Sequence, residues 1–189
     1  MKISITGHSA GIGKALSGLY PDHIGFSRTN NFDISNPDHR AMILSQSQDS
    51  DVFVNNAHCL DHQTMMFEEV FDKWRYDANK TIVNVVSRVI YEDVNKDKLA
   101  NVLQKVSLQG NYIDYKRQLS QVSNPGNSYN RKCRIINVNP GWVATDKVPE
   151  SWLIEQGYPY LTALECANYI KWAIEQDLEI GELSFWRNK

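Results

Sequence analysis

The sequence holds little that would staple, anchor or address a chain. Its three cysteines, Cys59, Cys133 and Cys166, are odd in number and far apart. They offer neither a disulfide framework nor a zinc-ligand spacing, and each is expected to be a small buried hydrophobe in a reducing cytoplasm. No apolar run approaches membrane-spanning length, so no membrane partner is expected. The N-terminus runs straight into an apolar strand pattern, so no signal peptide is expected. Neither charge sign dominates: the formal net charge is -2 with no block of like charge, so no nucleic-acid partner is indicated. There is no internal repeat, linker or low-complexity tract. The 189 residues, 42% hydrophobic and 22% charged, suit one domain, 1–189, around one core.

Against this plain background one stretch stands out, Lys2 to Leu16. Ile3 and Ile5 alternate as in a strand, Thr6-Gly7 breaks the pattern, and Gly11-Ile12-Gly13 leads into an apolar-periodic run through Ala15, Leu16 and Leu19. This is a strand, a glycine turn and the start of a helix. Gly7 allows a tight turn, Gly11 lets the backbone approach a pyrophosphate, and Gly13 lets the helix pack close to the strand. The loop residues His8, Ser9 and Ile12 join these glycines as candidate cofactor contacts. Free N–H groups and the positive end of the helix dipole would face the phosphates.

Beyond this turn, His23 to Arg28 is a second strand pattern. It lacks the acidic residue that would bind a ribose 2′-hydroxyl and repel a 2′-phosphate. Ser27, Arg28 and Thr29 stand there instead, a charged fork with two hydroxyls, which favours NADP(H) over NADH. Residues 31–35 are expected as a short third strand, with Asp33 and Ile34 lining the adenine. A helix starting at Ser35-Asn36-Pro37 is expected to run to about Ser47. Asp51 to Val54 is a compact apolar strand, buried on both faces, ending in Asn55-Asn56-Ala57-His58. Consecutive amides there would either bridge neighbouring backbone groups or touch a ribose. Alternating strands and helices with the glycine turn first predict an α/β fold, a doubly wound parallel sheet.

With Tyr112-x-x-x-Lys116 and Asn139-Pro140-Gly141-x-x-x-Thr145 further on, four motifs occur in the order in which the short-chain dehydrogenase/reductase family carries them. The sequence resembles that family over most of its length. The resemblance implies a Rossmann-type sheet with helices on both faces, a nicotinamide cofactor and a small carbonyl or alcohol substrate. It implies Tyr112 as acid/base, Lys116 as its partner and ribose ligand, and Ser87 on the substrate oxygen. Asn55, Asn56, Ala57, Pro140, Gly141, Val143 and Thr145 join the cofactor contacts, and a homodimer or homotetramer is implied. Positions four apart on a helix share a face, and an ammonium one turn from a phenol lowers a pKa that starts near 10. Tyr76 and Lys80 have the same spacing but lie before the serine strand.

The resemblance has gaps. His58 stands where the family has Gly. His58 and His62 have helical spacing, but no third metal ligand lies beside them. Residues 63–80 carry an apolar face through Met65, Met66, Phe67, Val70, Phe71 and Trp74. Two registers fit the next segment. In one, 81–87 is the fifth strand, ending at Ser87 and followed by a long insert, Arg88 to Asn111, with a short helix through Lys98, Val102, Leu103 and Val106. In the other, a helix covers Ile82 to Ile90, Asn79 takes the active-site asparagine position, and the strand lies near 102–107. The β-branched run favours the first. Residues 124–127 are a turn, Arg134 to Val138 a strand, 161–175 a helix with Thr162 and Glu165 as a capping box, and Gly181 to Trp186 a last strand. Trp142, Trp152, Tyr158 and Tyr160 would wall a planar substrate or cover the core. A nucleotide-binding sensor that lost its chemistry is the alternative to an oxidoreductase.

Overall fold

In a computed structural model the described residues are 1–91, 112–124 and 130–188. The expected insert helix and most of the 124–127 turn lie outside them. The sheet is built from β1 (Ile3–Thr6), β2 (Ile24–Phe26), β3 (Val52–Asn55), β4 (Thr81–Val85), β5 (Arg134–Pro140) and β8 (Glu182–Phe185), in the order β2-β1-β3-β4-β5-β8. Every pairing is parallel. A separate two-stranded pair joins β6 (Val143–Ala144) to β7 (Leu161–Thr162). The helices are α1 (Gly11–Leu19), α2 (Pro37–Ser47), α3 (His62–Trp74), α4 (Tyr112–Val122), α5 (Glu150–Glu155) and α6 (Ala163–Glu175). No described helix is long and apolar enough to cross a membrane.

Strand side chains alternate between faces, and here each face has its own core. Ile3, Ile5, Val52, Val54, Val83, Val85, Ile136 and Val138 pack on Leu16 of α1 and on Ala167, Ile170 and Ala173 of α6. Phe53, Ile82 and Ile135 point the other way, onto Ile43 of α2, Met66, Phe67, Val70 and Trp74 of α3, and Leu119 of α4. This is the doubly wound arrangement. Residues 81–85 are a strand, so the first of the two registers holds. Asn79 sits in a turn, its backbone N–H donating to the Asp77 carboxylate at 2.9 Å.

Helix ends follow local chemistry. The Asn36 side chain accepts from Asp38 and His39 with Pro37 at the first position, and Thr162 and Glu165 form the expected capping box on α6. One expected strand does not form. Residues 31–35 are a turn, because the Asp33 carboxylate takes the Ser35 N–H at 2.9 Å and its hydroxyl at 2.8 Å, while Phe32 N–H donates to the Ser27 carbonyl. Such side-chain bonds compete with a ladder.

The start of α1 packs tightly on the turn that follows β1. A Cβ on Gly13 would lie 2.1 Å from the Gly7 carbonyl oxygen and 2.7 Å from Asn56 Nδ2, whereas one on Gly18 would meet nothing within 4 Å. Gly13→Ala is therefore expected to destabilise the protein by about 2 kcal/mol or more, and Gly18→Ala to stabilise it by about 0.5 kcal/mol. Urea unfolding of the two variants checks this.

Candidate active site

The chain turns in opposite directions from β1 to its two neighbours β2 and β3, which makes their carboxyl ends a switch point where open α/β sheets form a crevice. A cavity of about 740 Å³ lies there, lined from the ends of β1, β2, β3, β4 and β5. Gly7 and Gly11 have φ of 70° and 50°, the left-handed region that favours glycine. A Cβ on Gly7 would stand 2.9 Å from Asn56 Nδ2, and one on Gly11 would stand 3.2 Å from Thr145 Cγ2. The N-cap of α1 is Ala10, which makes no side-chain capping bond, so the first-turn N–H groups are left for the cavity. Gly7, Ser9, Gly11 and Ile12 line it. Gly13 is turned into the β1 contact, and the His8 ring lies against Gly25 and 5.6 Å from the His23 ring. These two residues are not among the lining residues, contrary to the expectation for the loop.

At the end of β2, Ser27, Arg28, Thr29, Asp33 and Ile34 all line the cavity. The Ser27 and Thr29 hydroxyls bond each other at 2.7 Å, and Ser27 N–H donates to Asn30 Oδ1 at 2.8 Å. The Ser27 hydroxyl is engaged inside the turn Arg28–Asn30, while Arg28 is exposed. Its bonds from Ser35, helped by the charges of Arg28 and His39, hold the Asp33 carboxyl below the usual range.

The two asparagines ending β3 separate. Asn56 and Ala57 line the cavity. Their backbone N–H groups both donate to the Thr6 hydroxyl at 3.0 Å, and Asn56 Nδ2 donates to the Thr6 and Gly7 carbonyls at 3.1 and 3.3 Å. Asn55, expected as a cofactor contact, is fully buried on the other side, donating to the Gln63 carbonyl at 2.8 Å and Asn84 Oδ1 at 3.0 Å. It bridges the interior because odd and even strand positions face opposite cores.

Ser87 follows β4, and Tyr112 and Lys116 project from one face of α4; all three line the cavity. The Ser87 hydroxyl favours ionisation of the Tyr112 phenol, but burial dominates and pushes that phenol up to about 12. This differs from the expected phenolate. Lys116 Nζ stands 5.5 Å from the Tyr112 ring, yet it is turned to Gln63 Oε1 at 2.6 Å and the Val85 carbonyl at 2.7 Å. Burial and the charge of Lys147 bring Lys116 down to about 7. Neither effect is visible from the spacing. His58 stands edge-on to Tyr112, ring centroids 4.8 Å apart. Burial, then Lys116 and Lys147, bring it down to about 3, so it is a neutral imidazole at ordinary pH. The decoy pair is elsewhere: Tyr76 is exposed, and Lys80 Nζ donates to Gln48 and Ser50 carbonyls at the amino end of the sheet.

Pro140, Gly141, Val143 and Thr145 complete the wall. Thr145 and Val148 close a turn through reciprocal backbone bonds of 3.0 and 3.1 Å, and Lys147 from that turn lines the cavity. Trp142 and Tyr158 stack at 5.0 Å over Val148 and Leu153, as expected of a core cover, and also line the cavity. The Arg88 guanidinium lies 3.8 Å over the Trp186 ring. Arg88, Lys147, Trp186 and Gln63 were not singled out from the sequence. For Gln63 a signal exists: it shares the helical phase of Met66, Phe67, Val70 and Trp74, a polar residue on an apolar stripe.

No protein-family model matches the sequence, and no curated protein matches it. Solved structures do. The chain is similar to 3-alpha-hydroxysteroid dehydrogenase from Pseudomonas sp. B-0831 complexed with NADH, at 17% identity and a TM-score of 0.72, covering 97% of this chain and 94% of that one. An alcohol dehydrogenase from Thermococcus sibiricus complexed with 5-hydroxy-NADP gives 16% and 0.72, covering 100% and 99%. A short-chain dehydrogenase from Burkholderia cenocepacia J2315 in complex with NADP gives 15% and 0.68, covering 97% and 87%. The chain has the Rossmann-type fold of the short-chain dehydrogenases/reductases.

A buried lysine lowered to about 7 binds fewer protons in the folded than in the unfolded chain between that pH and its ordinary value near 10.4. Its unfavourable contribution fades as pH rises through that window. The stability of the wild type relative to Lys116→Met should therefore increase from pH 7 to pH 9, by about 1 kcal/mol per pH unit. Paired thermal melts across that range measure it.

Proposed function

We propose that the protein is a divergent short-chain dehydrogenase/reductase that moves a hydride between NADP(H) and a small carbonyl or alcohol substrate. One observation carries this: a single cavity at the switch point gathers the glycine turn, Arg28, and the group Ser87, Tyr112 and Lys116. A dinucleotide fits the residues present. Gly7 and Gly11 let the turn backbone pass close to Asn56 and Thr145 at the cavity wall, and the uncapped start of α1 suits a pyrophosphate. Arg28, exposed beside a cavity edge with no acid at the end of β2, suits a 2′-phosphate. Asn56, Ala57, Pro140, Gly141, Val143 and Thr145 would complete the cradle, and its setting would be the cytoplasm.

When bound, the nicotinamide supplies or accepts the hydride. The chain's own residues manage the proton and the geometry. The buried, protonated Tyr112 phenol donates to the carbonyl oxygen of the substrate, and takes the proton back in the reverse direction. Ser87, which lines the same cavity, orients the same oxygen. Lys116 carries the positive charge that stabilises the phenolate left behind. His58, kept neutral, adds no competing charge next to the phenol. Trp142 and Tyr158 shield the reacting atoms from water.

The test is a fluorescence titration with NADPH and NADH, followed by turnover over a panel of carbonyl compounds. NADPH is expected to bind at least about tenfold more tightly, a difference of about 1.4 kcal/mol that Arg28→Ala removes. Tyr112→Phe should lower turnover by about 100-fold or more while leaving NADPH binding nearly intact. Binding of neither cofactor would overturn the proposal, and unchanged turnover in Tyr112→Phe would overturn the role of Tyr112.

A further inference from the structure

The ammonium of Lys116 is held from outside its own helix. Lys116 is 3% exposed, and a buried ammonium is costly unless oxygens replace its water. Among the described residues those oxygens are Gln63 Oε1 at 2.6 Å and the Val85 carbonyl at 2.7 Å. Gln63 lies in the first turn of α3 and is itself 2% exposed. Its amide cannot turn over, because Nε2 donates to the Asn55 carbonyl at 2.8 Å and to the Val85 carbonyl at 3.1 Å. An amide has only those two N–H donors, so Oε1 must face Lys116. The Asn55 side chain closes the ring by donating to the Gln63 backbone carbonyl at 2.8 Å.

The other groups around the ammonium do not attract it. His58 on the β3 loop and Tyr112 on α4 are neutral. Lys147 on the Thr145–Val148 turn repels it, and among the described residues no carboxylate is hydrogen-bonded to it. Among the described residues, the bonds that balance this charge come from neutral oxygens. An ammonium has three N–H donors, so two acceptors leave one for the cavity that Lys116 lines.

We infer that Gln63 is a positioning residue for Lys116: its locked amide oxygen fixes where the ammonium stands and aims the remaining N–H at the ligand in the cavity. The inference deepens the proposed oxidoreductase function and rests on it only for the identity of that ligand. Gln63 does not touch the reacting atoms. It acts through Lys116, and its backbone and side chain tie α3 to the ends of β3 and β4.

The experiment is a pH titration of the Lys116 Nζ and Cε resonances in the full chain with labelled lysine, assigned by Lys116→Met. Wild type, Gln63→Met and Gln63→Glu are compared, each with a thermal melt and an NADPH titration. Gln63→Met removes the acceptor and should lower the midpoint by about one pH unit, whereas Gln63→Glu adds a charge and should raise it by about one unit or more. NADPH should bind Gln63→Met about tenfold more weakly. Folded variants with unmoved midpoints would reduce Gln63 to a core amide and overturn the inference. Should Gln63→Met fail to fold, Gln63→Glu decides alone. A wild-type midpoint at the ordinary lysine value overturns the inference without any variant. Moved midpoints with no NADPH binding would sink the proposed function and leave the positioning role standing. NADPH binding with unmoved midpoints would do the reverse.

Discussion

Three asparagines lie side by side across the middle of the sheet. Asn55, Asn84 and Asn137 are register partners on β3, β4 and β5. Asn55 Nδ2 donates to Asn84 Oδ1 at 3.0 Å, Asn84 Nδ2 donates to Asn137 Oδ1 at 3.1 Å, and the Ser123 hydroxyl after α4 donates to that same oxygen at 2.9 Å. All four residues are buried. A slip of one residue would send these amides to the opposite core and leave them unpaired, at about 1–3 kcal/mol each. The ladder thus fixes the register of three strands near their carboxyl ends. The loops that begin there, with Asn56 to His58, Ser87 and Gly141, start from one common floor. Gln63 and Lys116 hang from the same network through Asn55.

The glycine turn, the strands and the caps were legible because each rests on local chemistry: absent Cβ atoms, β-branched runs, and Asn36 and Thr162 ahead of their helices. What was not legible depends on neighbours distant in sequence. Asn55 and Asn56 look alike in the chain, and only the register says that one belongs to the core and the other to the cavity. The segment 31–35 has strand-like residues, but the Asp33 side chain captures Ser35 first. The Tyr112–Lys116 spacing was legible, whereas the burial that raises the phenol and lowers the amine was not. Gln63 was hidden by the apolar stripe around it. Gly13 packs the helix close to the strand as its place in the motif says, whereas the sequence does not show that the His8 ring lies against Gly25 and His23.

The aromatic group shows why a choice between core and site is a false one in a small protein. Trp142, Trp152 and Tyr158 cover Val148 and Leu153, a third apolar cluster separate from the two sheet faces. The same Trp142 and Tyr158 present their other faces to the cavity. The β6–β7 pair beneath them is tied by Leu161 N–H to the Trp142 carbonyl at 2.9 Å. Packing of this patch and the shape of the cavity wall are therefore one property, and a substitution at either tryptophan alters both.

The opposite end of the sheet is built differently. Arg134, the first residue of β5, donates to the carbonyls of Ile174, Gln176 and Leu178 and so finishes α6 from outside. Lys80 does the same for the residues entering β3, through Gln48 and Ser50. Long cationic side chains here act as clasps on backbone oxygens that would otherwise need water. The consequence is a directional grain in the molecule. Any opening that exposes backbone at this rim has first to break the bonds from Arg134 and Lys80.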